Sequence, residues 1–183
     1  GYAPAVDLGI VMPGTLIKDE PFTYKGWTPQ NWYSGYRGWC TVREGVRDSM
    51  NILAAKTIAM VGEETAFDYL QNFGFTSLVE SREVDGKVYS DISPAIALGG
   101  VTDGVSVLEL TAGYGTIADG GVYHEPIFYT RVLDHNGNVL IDNTQTADTH
   151  RVLKETTAYL LTDMMEDVIT SGTGTLARMD GMT

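Results

Sequence analysis

The stretch Thr41-Val-Arg-Glu-Gly-Val-Arg-Asp-Ser-Met-Asn51 is the part of this 183-residue chain that says most about its fold. It opens with a Thr-x-x-Glu capping box, and a helical pattern continues from there to about Val61. Ser49 and Asn51 interrupt this pattern, because short polar side chains compete for nearby backbone groups inside a helix. Either the pair is an unimportant irregularity, or the helix breaks there and presents two polar side chains.

Capping residues and apolar periodicity predict further helices downstream. They are expected at residues 63–73, from Ser106 to just before Gly120, and at residues 153–169, with a short helix ending near Met179. The polar residues 77–93 are expected to form a loop. Most of the chain after residue 40 is therefore expected to be helical.

The pattern changes at residues 127–142. Phe-Tyr-Thr-Arg-Val-Leu is followed by Asp-His-Asn-Gly-Asn and then by Val-Leu-Ile-Asp. This order predicts a β-hairpin that turns at Asn136-Gly137, because Asn-Gly is the strongest short-range signal for a hairpin turn. One hairpin thus accompanies the predicted helices.

Proline, glycine and aromatic residues alternate through the first forty residues. Such a segment predicts a long ordered loop with short extended pieces, and long loops of this kind are commonly functional. We therefore expect one α+β domain. It divides into an aromatic, Pro- and Gly-rich loop region (1–40), a helical part (41–126), the hairpin (127–142) and a second helical part (143–183).

Composition excludes several classes of function. The net charge is -12, with 12 Lys and Arg against 24 Asp and Glu, which argues against a nucleic-acid partner. No apolar run approaches the roughly 20 residues that cross a bilayer, so no membrane contact is expected from this segment. Cys40 is the single cysteine, and His124, His135 and His150 are scattered along the chain. We expect neither a metal site nor a cofactor.

Several stretches, taken in order, resemble the transpeptidase domain of class A penicillin-binding proteins. They cover nearly the whole chain: Pro29-Gln-Asn-Trp32, Tyr36-Arg-Gly38, Thr41 to Asn51, Pro94-Ala-Ile-Ala-Leu-Gly99, Leu108-Glu-Leu-Thr-Ala112, Ala118-Asp-Gly-Gly-Val-Tyr123, Thr157-Ala-Tyr-Leu-Leu-Thr-Asp-Met164 and Gly172-Thr-Gly-Thr175. The resemblance implies the penicillin-binding protein/β-lactamase-like fold. The chain is expected to hold mostly its helical subdomain.

The resemblance also gives Ser49-Met-Asn51 a role. In this family a Ser-x-Asn triplet on a connection between two helices forms one wall of the active site, beside Ser-x-x-Lys and Lys-Thr/Ser-Gly motifs. Ser49 is the expected catalytic residue, whose hydroxyl helps to carry a proton to the leaving amine. Asn51 is the expected substrate-binding residue, whose amide holds the amide of the substrate. Peptidoglycan stem peptides and β-lactams are the implied ligands.

The sequence departs from the family pattern at the other two motifs. No Ser is followed by Lys three positions on, and Lys56-Thr57 is followed by Ile58 rather than Gly. We expect the chain to be a piece lying between these motifs, inactive alone, of a membrane-anchored protein that acts on the extracytoplasmic face of a bacterial membrane. The other motifs would come from missing segments of the same protein.

Other readings stay open from sequence. A β-lactamase or carboxypeptidase shares the three-motif site. A sensor or binding module that has lost its outer motifs would also carry Ser49 and Asn51 without catalysis.

Overall fold

The computed structural model of this chain describes residues 1–144 and 147–179. Its helices are α1 (Tyr2–Asp7), α2 (Val42–Arg47), α3 (Asn51–Val61), α4 (Glu63–Asn72), α5 (Val107–Ala118) and α6 (Glu155–Thr170), with short 3₁₀ helices at Pro94–Leu98 and Thr175–Ala177. Its strands are β1 (Leu16–Asp19), β2 (Gly38–Thr41), β3 (Arg82–Val84), β4 (Lys87–Tyr89), β5 (Val122–His124), β6 (Arg131–Leu133), β7 (Val139–Asp142) and β8 (Thr149–Arg151). The fold is α+β, as predicted.

The main core lies where α1, α2, α3 and α6 meet. Val42 of α2, Leu53 of α3 and Met164 of α6 are 0% exposed, and Met50 in the α2–α3 connection is 1% exposed. Burying such aliphatic side chains is worth about 1.5–3 kcal/mol each. The core therefore sets the position of the α2–α3 connection.

Two capping boxes begin helices where the sequence predicts them. The Thr41 side chain accepts the Glu44 N–H at the start of α2, and the Ser106 side chain accepts the Glu109 N–H at the start of α5. The Glu109 carboxylate also accepts the backbone N–H groups of Thr76 and Ser77, at 2.7 and 2.9 Å. It therefore joins the segment after α4 to the start of α5.

The strands form four antiparallel pairs within the described residues: β1 with β2, β3 with β4, β5 with β8, and β6 with β7. The β6–β7 hairpin turns at Asn136-Gly137, as predicted. Gly137 has φ 84°, and the Asp134 carboxylate accepts the N–H groups of Asn136 and Asn138. The turn is thus held by an aspartate side chain as well as by glycine.

The prediction of a single hairpin was wrong. Residues 77–93 contain β3 and β4, which turn at Asp85-Gly86 with φ angles of 51° and 76°. Asp-Gly is itself a hairpin signal, and the polar surroundings hid it because both strands are largely exposed. The parts 41–126 and 143–183 are not wholly helical either, since β5 pairs with β8 across a long sequence separation.

The first forty residues also hold more structure than the predicted loop with extended pieces. The strands β1 and β2 confirm the extended pieces, but α1 was missed. This six-residue helix contains Pro4 near its start, where proline is tolerated because the first N–H groups of a helix lack partners anyway. Its stability comes from burial of Ala5 and Val6 rather than from a local signal.

Within residues 1–144 and 147–179, no helix is both long enough and apolar enough to span a membrane.

Candidate functional site

The helix that begins at Thr41 breaks at Ser49. Helix α2 ends at Arg47, helix α3 begins at Asn51, and Ser49 has φ 53°. A left-handed backbone is uncommon for a residue with a side chain, and it ends a helix directly. The predicted break is confirmed.

Burial alternates along the triplet Ser49-Met50-Asn51. Met50 is 1% exposed in the core, Ser49 is exposed and Asn51 is half-buried. The buried thioether anchors the connection, so the two polar side chains on either side of it lie at the surface. Ser49 Oγ makes no hydrogen bond to any residue within 1–144 or 147–179, and the hydroxyl can therefore engage a ligand.

The aromatic loop between β1 and β2 contacts this connection. Asn51 Nδ2 donates to the carbonyl oxygen of Gln30 at 2.8 Å, and Trp32 Nε1 donates to the carbonyl oxygen of Asp48 at 2.9 Å. The first contact sets the orientation of the Asn51 amide, because only its nitrogen can donate. One N–H and the Oδ1 oxygen of Asn51 remain for a ligand.

Two arginines hold Asp48, the residue before Ser49. Its carboxylate accepts from Arg47 Nε at 2.8 Å and from Arg37 Nη1 at 2.6 Å. These hydrogen bonds, first from Arg47 and then from Arg37, hold the pKa of Asp48 below its ordinary value. Asp48 is therefore charged at neutral pH, and it fixes the end of α2 rather than acting as a base.

A cavity of about 300 Å³ lies beside the triplet. It is lined by Tyr2, Gly45, Val46, Ser49, Met50, Asn51, Ala54, Ala97 and Leu98. Tyr2 is the only ionisable residue among these, and burial raises the pKa of its hydroxyl above the ordinary value. None of these lining residues is a base near neutral pH, so a proton acceptor for the Ser49 hydroxyl would have to lie outside this lining.

The Gly172-Thr-Gly segment packs against the end of α2. The Thr173 N–H donates to the Arg47 carbonyl oxygen at 3.2 Å. A Cβ on Gly172 would lie 2.3 Å from that oxygen, so the close approach requires glycine. This segment thus satisfies a carbonyl that α2 leaves unpaired when it stops before Ser49.

Comparison with known families identifies the family of the chain that carries this cavity. A family model described as the penicillin-binding protein transpeptidase domain matches residues 1–183. The chain belongs to this family. The resemblance found in the sequence is therefore confirmed.

Curated relatives of this transpeptidase domain are penicillin-binding proteins. Penicillin-binding protein 1F of Bacillus subtilis is 32% identical over 180 residues, which cover 98% of this chain and 23% of the relative. Penicillin-binding protein 1A of Streptococcus pneumoniae is 33% identical over 179 residues, which cover 94% of this chain and 23% of the relative. The chain thus spans about a quarter of the length of these relatives.

Solved structures agree on the fold. The D,D-transpeptidase domain of a peptidoglycan glycosyltransferase from Eggerthella lenta matches with a TM-score of 0.77 at 20% identity, over 99% of this chain and 49% of that one. Penicillin-binding protein 3 of Mycobacterium tuberculosis, complexed with aztreonam, matches with a TM-score of 0.78 at 20% identity, over 97% and 43%. The α+β arrangement is therefore the transpeptidase fold, of which this chain holds part.

The sequence predicted Ser49 and Asn51 as site residues but did not predict the residues around them. The structure adds Tyr2 and Leu98 to the same cavity, from α1 and from the 3₁₀ helix at 94–98. Tyr2 carries no sequence signal, and Leu98 belongs to a family-like stretch without being singled out in it, because an aromatic or aliphatic side chain near a site is indistinguishable in sequence from one in the core. Only the Pro29-Gln-Asn-Trp32 stretch, quoted for its resemblance, could have pointed to the loop contact.

Proposed function

We propose that this chain is part of a serine D,D-transpeptidase that cross-links peptidoglycan stem peptides and is acylated by β-lactams. Family membership supports the reaction class. The observation that supports the site is the helix break, which presents the Ser49 hydroxyl and the Asn51 amide on either side of buried Met50, at one cavity. Both groups retain hydrogen-bonding capacity for a ligand.

The reaction uses a nucleophilic serine of a Ser-x-x-Lys motif that this sequence does not contain. Its oxygen bonds to the carbonyl carbon of the penultimate D-Ala, the bond to the terminal D-Ala breaks, and the serine proton ends on the leaving amine. An amine of a neighbouring stem then attacks the ester and returns a proton to the serine. Ser49 acts in these proton transfers, in which positioned groups typically contribute 10²–10⁴-fold.

Asn51 holds the amide of the substrate. Its Nδ2 already donates one hydrogen to Gln30, so the second hydrogen is directed at an acceptor such as the acyl-side carbonyl. A β-lactam that carries an amide on its side chain presents the same carbonyl. Complexes of penicillin-binding protein 3 with aztreonam and with ampicillin support β-lactams as ligands of the fold.

The protein that carries this chain would act at the extracytoplasmic face of the bacterial membrane, where peptidoglycan is assembled. The relatives, penicillin-binding proteins 1A and 1F, support this location. The 183-residue chain alone would be inactive, because the acylated serine is not in it.

The test is intact-mass measurement after incubation with a fluorescent penicillin. The full-length protein should gain one acyl group per molecule, Ser49→Ala should slow this by about 10²–10⁴-fold, and the 183-residue chain alone should gain none. A stoichiometric adduct on the isolated chain would show that the nucleophile has been misidentified. Incubating the full-length protein with a stem pentapeptide and an amine acceptor distinguishes a cross-linked product from the shortened peptide of a carboxypeptidase.

A further inference from the structure

A contiguous tripeptide in the β1–β2 loop bonds to both sides of the helix break. Gln30 accepts from the Asn51 side chain, Asn31 Oδ1 accepts the Ile52 N–H at 3.2 Å, and Trp32 donates to the Asp48 carbonyl oxygen. Residues 48, 51 and 52 bracket Ser49 and Met50. We call Gln30-Asn31-Trp32 the loop clamp.

Asn31 supplies the cap that α3 lacks. The residue before α3 is Met50, whose side chain makes no capping hydrogen bond. The N–H groups in the first turn of a helix need acceptors, and Asn is among the best residues at providing one. Here the cap comes from 21 positions earlier in the sequence rather than from the preceding residue.

Asp19 fixes the orientation of Asn31. Its carboxylate is 1% exposed and accepts from Asn31 Nδ2, from the Tyr33 hydroxyl and from the Arg37 N–H, each at 2.8 Å. A carboxylate can only accept, so the Asn31 nitrogen must face Asp19 and its oxygen must face Ile52. Asp19 ends β1 opposite Gly38 of β2, so the same carboxylate closes both ends of the loop.

The loop clamp helps to hold Ser49 in its strained backbone conformation. A non-glycine residue at positive φ persists only when its surroundings hold it there. Helix α2 precedes Ser49, and on the other side buried Met50 and the Asn31 cap together fix the start of α3. Losing the Asn31 cap frees the first turn of α3, on which Asn51 stands.

We infer that Asn31, oriented by Asp19, is a positioning residue that holds the Ser49-x-Asn51 turn in its ligand-binding geometry. The inference rests on the proposed function, because it assigns Asn31 an effect on acylation through Asn51. Asn31 is not among the residues that line the cavity beside Ser49. Its loss should therefore resemble the loss of Asn51 and should not add to it.

The experiment measures second-order acylation rates of the full-length protein with an amide-bearing penicillin and with a carbapenem that lacks the amide. Asn31→Ala should slow the penicillin about five- to tenfold more than the carbapenem, as expected for one hydrogen bond. Adding Asn31→Ala to Asn51→Ala should change the penicillin rate less than twofold, because groups in one network are not additive. Gln30→Ala is the matched control, since the clamp uses only the backbone carbonyl of Gln30.

If Asn31 only stabilised the fold, its loss would slow acylation by both ligands alike. The ratio of the two acylation rates therefore distinguishes positioning from stability. The ratio does not depend on the folded fraction, and Asn31→Ser is a milder second variant. An unchanged ratio in both variants, full additivity with Asn51→Ala, or the same change in Gln30→Ala would overturn the inference.

Hydrogen–deuterium exchange at Ile52 gives a readout that needs no acylation. Its N–H should exchange about tenfold faster in Asn31→Ala but not in Gln30→Ala, while the N–H of Met164 in α6 stays protected. If the unmodified protein is not acylated, the proposed function fails, and exchange still decides whether the clamp holds the turn. Unchanged exchange at Ile52 refutes the clamp even if acylation behaves as proposed.

Discussion

Replacing Ser49 by glycine and, separately, by alanine tests whether the helix breaks at this residue in solution. The two possible backbones predict opposite orders of stability. Inside an uninterrupted helix, glycine is about 1 kcal/mol less stable than alanine. At the observed φ of 53°, alanine retains the left-handed strain of about 1–2 kcal/mol, from which glycine is free.

The difference in stability between the glycine and alanine variants also depends on the unfolded state. Glycine gives the unfolded state more conformational freedom, which offsets about 0.4–1 kcal/mol of the relief. The Ser49 hydroxyl is exposed and makes no hydrogen bond to a described residue, so removing it should change the free energy of unfolding by less than about 0.5 kcal/mol. We therefore expect Ser49→Gly to be as stable as Ser49→Ala or up to about 1.5 kcal/mol more stable.

A third variant extends the expected order of stabilities. Ser49→Val should be the least stable, because a β-branched side chain at positive φ is a genuine outlier. Urea unfolding of the transpeptidase domain that contains this chain gives the three free energies, and fluorescent-penicillin acylation of the same samples gives activity. All three variants should be slow to acylate, so glycine keeps the structure while losing the function. Alanine more stable than glycine by about 1 kcal/mol, with valine close to alanine, would refute the break.

Three further predictions concern other parts of the chain. Asn51→Ala should weaken acylation by an amide-bearing penicillin by about 1–3 kcal/mol and by a carbapenem less, and equal losses would contradict the amide-holding role. Glu109 accepts the backbone N–H of Ser106, which with further hydrogen bonds lowers the pKa of Glu109 from 4.5 to about 2. This stabilisation is complete above pH 4.5 and is lost as the pH falls through about 2. Glu109→Gln should therefore reduce the free energy of unfolding by about 1–2 kcal/mol at pH 7, after discounting for solvent, and by almost nothing near pH 2. The control Glu166→Gln, at an exposed position, should have little effect at either pH. Gly172→Ala would place a Cβ 2.3 Å from the last carbonyl oxygen of α2, and a loss of about 1–3 kcal/mol in urea unfolding is expected; an unchanged midpoint would show that the two segments do not touch.

The sequence by itself determined the features that depend on neighbouring residues. Thr41 and Glu44 begin a helix because each side chain bonds to backbone three positions away, and the hydrogen bonds form as soon as the helix does. Asn136-Gly137 turns the β6–β7 hairpin for a reason that is also local, since Gly137 adopts φ 84° and the nearby Asp134 carboxylate accepts two backbone N–H groups. The order of family-like stretches likewise gave the transpeptidase fold without any contact being known.

Only the tertiary structure decided how Ser49 is presented. Ser49 and Asn51 are unfavourable inside a helix, but local preferences alone left both an irregular helix and a break open, because the break requires a backbone strain that those preferences oppose. Contacts far apart in sequence settle it: Met50 packs in the core, Thr173 satisfies the end of α2, and Asn31 caps α3. Such contacts exist only once the loop and helices have packed, so the site's geometry belongs to the folded chain and not to the triplet alone.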